Sequence, residues 1–225
     1  MQPQLSIVIP VLGFEPGLES VLQQLKKIKE KEVIIVLTPK ENSNKTREIA
    51  QKYKCKLVTE NRKGYGQAYI TGFKAARGKI IATLDADGSY PTHLLPKYHD
   101  ILLNKNLDFL TMNRLANLEE NSMLFSHLIG NHIITVLANF LFQTKIKDSQ
   151  SGMWLFRREI LPLLKLKEKG MSLSTEIKLK AFTSRIAAKE IDSTYTNRLG
   201  KATINFKDAF KIIKFLFRTR LNKNL

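Results

Sequence analysis

The stretch ATLDADGSYP, residues 82–91, sets two carboxylates, Asp85 and Asp87, one residue apart directly behind an apolar run. Like charges at the mouth of a buried strand repel, and a cation lying between them relieves that cost. On a continuous strand residues i and i+2 share one face, and Gly88 and Pro91 turn the chain just beyond them, so both side chains can reach one point. So sparse a donor set suits Mg²⁺ or Mn²⁺, completed by water and phosphate oxygens, rather than a calcium loop, which needs more acidic ligands. The same letters also spell an ordinary Asx-turn, so the pair gains its weight from what surrounds it.

Just upstream, NRKGYGQAYITGFKAARG places Gly64 and Gly66 on either side of Tyr65 at the start of a helical pattern. Glycines there let backbone N–H groups approach a phosphate or a sugar, and a helix N-terminus favours anions. A plain loop before a helix reads the same way.

The elements that must position these residues follow from periodicity. Nearly continuous β-branched runs at 5–11, 32–38, 55–59 and 79–85 predict strands covered on both faces, as in a parallel sheet. Between the first two, Leu18, Val21, Leu22, Leu25 and Ile28 recur at helical spacing, with Pro16 at the first turn. Helices are expected at 43–54 and 66–77, giving a doubly wound α/β sheet with right-handed crossovers and helices on both faces. Ligands sit beyond the carboxyl ends of strands in such sheets, where DADG lies. Farther on, the pattern predicts a strand at 107–113 and a long helix over 118–142 with Leu124, Leu128, Ile133, Val136, Leu137, Phe140 and Leu141 as its apolar stripe. A strand in SGMWLFRR, a helix near 173–184 and a strand over 186–195 complete the order.

The chain has 225 residues, enough for one sizeable domain, and its 43% hydrophobic content argues against disorder. Against 20 Asp and Glu stand 37 Lys and Arg, a net charge of +17 that points to an anionic partner: nucleic acid, an acidic membrane or a phosphorylated substrate. The single cysteine, Cys55, forms no intramolecular disulfide and suits a reducing compartment. The first 25 residues carry no Lys or Arg and their apolar run is broken by Pro10, so no secretory signal is expected. No run of about 18 apolar residues occurs, and no transmembrane helix is expected.

Taken in order, IVIP, RKGYGQAYITGFKAARG, IIATLDADGSYP and DSQSGMWLFRREIL resemble the family 2 glycosyltransferases, and more narrowly the polyprenyl-phosphate (dolichol-phosphate) mannosyl- and glucosyltransferases, from residue 5 to about 203. The resemblance implies a type A glycosyltransferase fold, Rossmann-like, over residues 1–203, and transfer of a hexose with inversion from GDP- or UDP-hexose to a polyprenyl or dolichyl phosphate. By the same resemblance Asp85 and Asp87 match a DxD pair holding metal and donor diphosphate, with Asp87 the better metal contact. Pro10, Glu15, Gly64, Tyr65 and Gly66 fall in donor-binding segments, Glu15 with a one-residue shift. Arg114 matches a basic residue after the next strand, and Arg198, Gly200 and Lys201 match a late phosphate-holding segment. Asp148 is placed near acceptor phosphate and donor sugar, where it binds a sugar hydroxyl, serves as a base, or is a turn carboxylate capping Ser151. Glu176 reads as a helix-start cap.

One departure stands out. Where relatives carry an acidic residue that reads the nucleobase, this chain has IVLTPKENSNKT, so Thr38 or Glu41 is left to bond the base. With an anionic lipid phosphate as nucleophile no strong base is needed, and the chemistry reduces to positioning and charge neutralisation.

The tail, 204–225, separates Phe206, Phe210, Ile213, Phe217 and Leu221 from Lys207, Lys211, Lys214 and Arg218, as expected of a helix lying in an anionic bilayer surface. A helix packed on its own domain would show the same stripe. The expected location is the cytoplasmic face of a membrane, held peripherally. Transfer to a soluble acceptor, and a non-catalytic basic binding module, are the competing readings; the chain shows no nucleic-acid motif, and no nucleic-acid partner is expected.

Overall fold

The computed structural model describes residues 3–200 and 206–222. Its centre is a seven-stranded sheet in the order β3-β2-β1-β4-β6-β5-β7. The strands are β1 (Leu5–Leu12), β2 (Lys31–Thr38), β3 (Lys56–Thr59), β4 (Ile80–Thr83), β5 (Phe109–Leu118), β6 (Trp154–Arg157) and β7 (Ala188–Tyr195). All pair in parallel except β6, which runs antiparallel to both β4 and β5. Pro10, lacking a donor for a ladder, lies beyond the last β1–β4 pair, Val8 with Thr83, so only β2 flanks it.

Helices cover both faces because the central strands are apolar on both. One face packs against α1 (Leu18–Leu25), α2 (Ser43–Lys52) and α4 (Leu95–Asn104). The other packs against α3 (Tyr65–Ala75), α6 (Leu161–Leu164) and α7 (Ser172–Thr183). Trp154, fully buried, sits on that second face with its ring 5.3 Å from that of Tyr69. Its backbone N–H donates to Thr83 and its indole N–H to the carbonyl of Ser151.

Two expectations need correction. The predicted helix over 118–142 begins only at Phe125: residues up to Leu118 continue β5 instead, paired with β7 through an irregularity between Asn113 and Asn117. Cross-strand pairing overrides the local pattern there. The resulting helix, α5 (Phe125–Phe142), buries Asn131, Ile134, Thr135 and Ala138; of the apolar stripe, Leu137 and Leu141 are partly buried against α8, while Leu124, Ile133, Val136 and Phe140 face solvent. By length and composition α5 is the one helix among the described residues that could cross a membrane, unlike the sequence expectation.

That orientation has a polar cause. Asn131, Thr135 and Asn139 repeat at i, i+4 and i+8 and grip the following loop: Asn131 donates to Asp148, Thr135 to Ser149, and Asn139 to the carbonyl of Ile146 while accepting its N–H. Burying that polar stripe turns Ile129, Ile133, Val136 and Phe140 outward.

The tail helix α8 (Phe206–Leu221) packs on α5 and α7 through Ile212, Phe215, Leu216 and Thr219. The stripe read from the sequence is not its packing face. Phe206, Phe210, Phe217 and Leu221 are exposed, Phe206 by 86% and Leu221 by 80%, and Ile213 is partly buried.

Candidate active site

Three segments meet at the carboxyl end of β4. The first is the acidic turn, where Leu84 still bonds to Val8 of β1 before the chain leaves the sheet. The second is the turn into α1, where Gly17 lies so close that a Cβ would stand 2.6 Å from the carbonyl carbon of Asp87. The third follows β7: Thr196 N–H donates to Ser89 O at 3.0 Å and Leu199 N–H to Asp87 O at 2.8 Å. These backbone bonds bring Glu15 and Arg198 to Asp87, and Gly200 (φ +115°) to the Glu15 carboxylate.

Both acidic side chains face this space, as the turn predicts. Asp87 Oδ1 accepts from the N–H and hydroxyl of Ser89, which is the Asx-turn, and Oδ2 faces Arg198 at 3.5 Å. Asp85 takes a hydrogen bond of 3.2 Å from the Tyr69 hydroxyl. Burial, and after it the charge of Asp87, push the Asp85 carboxyl up to about 6, against the pull of Arg114 and Arg198. Glu15 is likewise raised by burial and by Asp87. A buried carboxylate beside a second one is an arrangement that a hard divalent cation relieves. Among the described residues no group of three or more His, Cys, Asp or Glu side chains could hold a metal, so Asp85 and Asp87 fit Mg²⁺ or Mn²⁺ with further oxygens, such as water or phosphate, completing the shell. Gly152 keeps the approach open: a Cβ there would stand 3.5 Å from both Asp85 oxygens and 2.4 Å from the Tyr65 hydroxyl.

The glycines around Tyr65 have another reason than the one expected. A Cβ on Gly64 (φ +137°) would meet Lys169 O at 2.3 Å, and one on Gly66 would meet Glu168 O at 2.5 Å. The first-turn N–H of Gln67 is spent on Lys169 O at 2.9 Å. The helix start is packed against protein backbone, and Tyr65 turns inward toward Asp85, Tyr69 and Ser174.

Arg114 and Asp148 form a pair below the acidic turn. Asp148 is fully buried and its carboxylate accepts from Arg114, Asn131 and the N–H of Gln150, not from Ser151. Burial alone would raise its pKa, but Arg114 and then Lys178 hold it well below the usual carboxylate range. That geometry fits a turn carboxylate rather than a base. Tyr195 lies between the two arginines, its ring 5.2 Å from the Arg114 guanidinium and its hydroxyl 2.7 Å from Arg198. Thr38 is buried at the end of β2, its carbonyl taken by Gly13, and Glu41 is exposed beyond it. Lys201 lies outside the described residues.

Sequence reasoning missed Glu60, whose buried carboxylate gathers Arg62, Gln67 and Thr71 and braces the loop before α3; hydrogen bonds from Arg62 and Thr71 hold it well below the usual range. Its place two residues before Arg62 was the available signal. Glu176 does not cap its own helix either. It lies in the second turn of α7 and accepts from the N–H groups of Lys167 and Glu168.

Residues 6–163 match the family model for glycosyl transferase family 2. The chain belongs to that family. Among family members of known name, it is 30% identical to the low-salt glycan biosynthesis hexosyltransferase Agl6 of Haloferax volcanii over 95% of its own length and 53% of that protein's. It is 27% identical to a dolichyl-phosphate hexose transferase of the same organism, covering 98% of this chain and 96% of the relative. A dolichol-phosphate mannosyltransferase of Pyrococcus furiosus is 26% identical over 96% of this chain and 63% of its own. The chain therefore spans about half of the first of these and nearly all of the second. In three dimensions it matches glucosyl-3-phosphoglycerate synthase of Mycobacterium tuberculosis, solved with Mn²⁺, UDP and glucosyl-3-phosphoglycerate, with a TM-score of 0.73 at 16% identity over 98% of this chain and 80% of the other. At that identity the likeness shows the type A fold alone. In this family 2 chain the acidic pair lies where the fold's open strand ends meet.

Proposed function

We propose that the chain is an inverting hexosyltransferase that moves mannose or glucose from a GDP- or UDP-hexose to a polyprenyl or dolichyl phosphate at a membrane surface. The observation that carries the reading is the pairing of opposite charges in one place: Asp85 and Asp87 for a cation, and Arg198, 3.5 Å from Asp87, for a diphosphate. The names of the curated relatives point the same way. When bound, Mg²⁺ or Mn²⁺ supplies positive charge for the departing nucleotide diphosphate.

The rest falls to the chain's own side chains. Asp87, ordered by Ser89, presents Oδ2 to the site; Asp85 is aimed by Tyr69. Arg198, steadied by Tyr195, binds phosphate, and Lys201 follows it in sequence. Pro10, Glu15 and Thr38 border the donor side, with Gly64, Tyr65 and Gly66 shaping the wall behind Asp85. Arg114 adds positive potential from beneath. The acceptor phosphate is ionised at neutral pH, so no side chain need take its proton, and Asp148, saturated by protein donors, does not serve as a base.

The membrane surface is read from α5 and α8, which pack together and leave Phe125, Phe140, Phe206 and Phe210 in solvent. Incubating the purified chain with MnCl₂, a panel of nucleotide sugars and a short polyprenyl phosphate should yield a sugar-phosphate lipid by mass spectrometry. Asp87→Ala should abolish it while melting stays close to wild type. Full activity in that variant would reject the assignment.

A further inference from the structure

The loop 167–170 touches the wall behind Asp85 on one side and α8 on the other. Toward the site, Lys169 O accepts from Gln67 N–H, and the carbonyls of Glu168 and Gly170 lie against Gly66. That fixes the first turn of α3, which carries Tyr65; one turn on, Tyr69 donates to Asp85 and its hydroxyl neighbours that of Tyr65. Toward α8, the Glu168 carboxylate accepts from Arg218. From beneath, Glu176 holds the N–H of Lys167 at 2.9 Å and that of Glu168 at 2.8 Å, and is itself paired with Lys180 at 2.7 Å.

On its α8 side the loop borders an open cleft of about 420 Å³, lined by Lys167, Glu168, Glu176, Lys180, Phe215 and Arg218 among others. Where the loop faces that cleft, polar ties help to hold it. Of these, Glu176 is 2% exposed and binds two backbone N–H groups with charge assistance. The Arg218–Glu168 pair is half exposed on its Arg218 side and weaker.

We infer that Glu176 and Arg218 are positioning residues: through loop 167–170 they set the first turn of α3, and with it the hold of Tyr69 on Asp85, so that metal-dependent nucleotide binding depends on how α8 is seated. The inference rests on the donor-site reading above. It also gives Arg218 a task other than the lipid contact expected from the sequence.

The test is calorimetry of UDP and GDP, each with MnCl₂, on the full chain and three variants. Arg218→Met, at an exposed position, should weaken nucleotide binding about two- to five-fold, the range of one such pair. Glu176→Ala should weaken it more than about ten-fold, and Glu176→Gln, which keeps an acceptor for the loop, should recover much of the loss. A purely structural role would lower the melting temperature of Glu176→Ala without this graded rescue in affinity. Unchanged affinity in Arg218→Met, or a loss in Glu176→Ala that Glu176→Gln does not restore, overturns the inference, and Arg218→Met keeps it falsifiable should Glu176→Ala fail to fold. Absence of nucleotide binding by the wild-type chain would remove the donor-site reading, and this inference with it.

Discussion

Arg114 Nε lies 2.7 Å and its NH2 group 3.1 Å from the two carboxylate oxygens of Asp148, a forked pair with Asp148 fully buried and Arg114 8% exposed. Removing one partner of such a pair leaves the other charge uncompensated in the interior, at a cost of about 3–5 kcal/mol. Asp148→Ala should lose roughly that much in urea denaturation. Asp148→Asn, which still accepts hydrogen bonds, should lose less and keep measurable transfer. If Asp148→Asn were as stable as wild type yet wholly inactive, Asp148 would be acting on substrate after all.

Lys178 is buried beside this pair, donating to the carbonyl of Asp148. Burial draws its ammonium from 10.5 down to about 8, against the pull of Asp148 and Glu190. The unfolded chain therefore binds more protons than the folded one between about pH 8 and 10.5, and stability from this group rises with pH across that window. Below it the full cost of the buried charge is present. The difference in unfolding free energy between wild type and Lys178→Met should accordingly shift by about 1–3 kcal/mol in favour of wild type from pH 7.5 to 10.5. A flat difference would show that Lys178 titrates normally.

Exposed and buried faces of α8 separate two effects that a deletion would mix. Phe210→Ser with Phe217→Ser removes solvent-facing rings, so melting should hold while co-sedimentation with phosphatidylglycerol vesicles falls several-fold. Leu216→Ala opens the packing against α5 and should cost about 2–5 kcal/mol. Undiminished vesicle binding by the double variant would show that the membrane contact lies elsewhere.

Much of the site was legible because its residues are neighbours in sequence. DADG at a strand end announces itself, and the parallel order of β1 to β4 follows from runs such as EVIIVLT. The chemistry that escaped depends on partners far along the chain. Gly64 and Gly66 invite the reading of a phosphate loop, since nothing local shows that Lys169 comes to rest against them. Asn131, Thr135 and Asn139 look like the polar side of an amphipathic helix. Only the loop at 144–149 turns that stripe inward and makes the apolar one the surface. Glu176 is the same case: its spacing suggests a cap, and its partners lie eight and nine residues back, across a turn.

The chain has a single tryptophan, and the fold has put it under the acidic turn. Trp154 is bonded to Thr83, the last residue of β4 and two before Asp85, and its ring neighbours Tyr69, whose hydroxyl holds that carboxylate. Indole emission from this protein therefore comes from one address, two contacts away from the acidic pair. Occupancy of the site can be followed in the unlabelled molecule, with no other indole to dilute the signal.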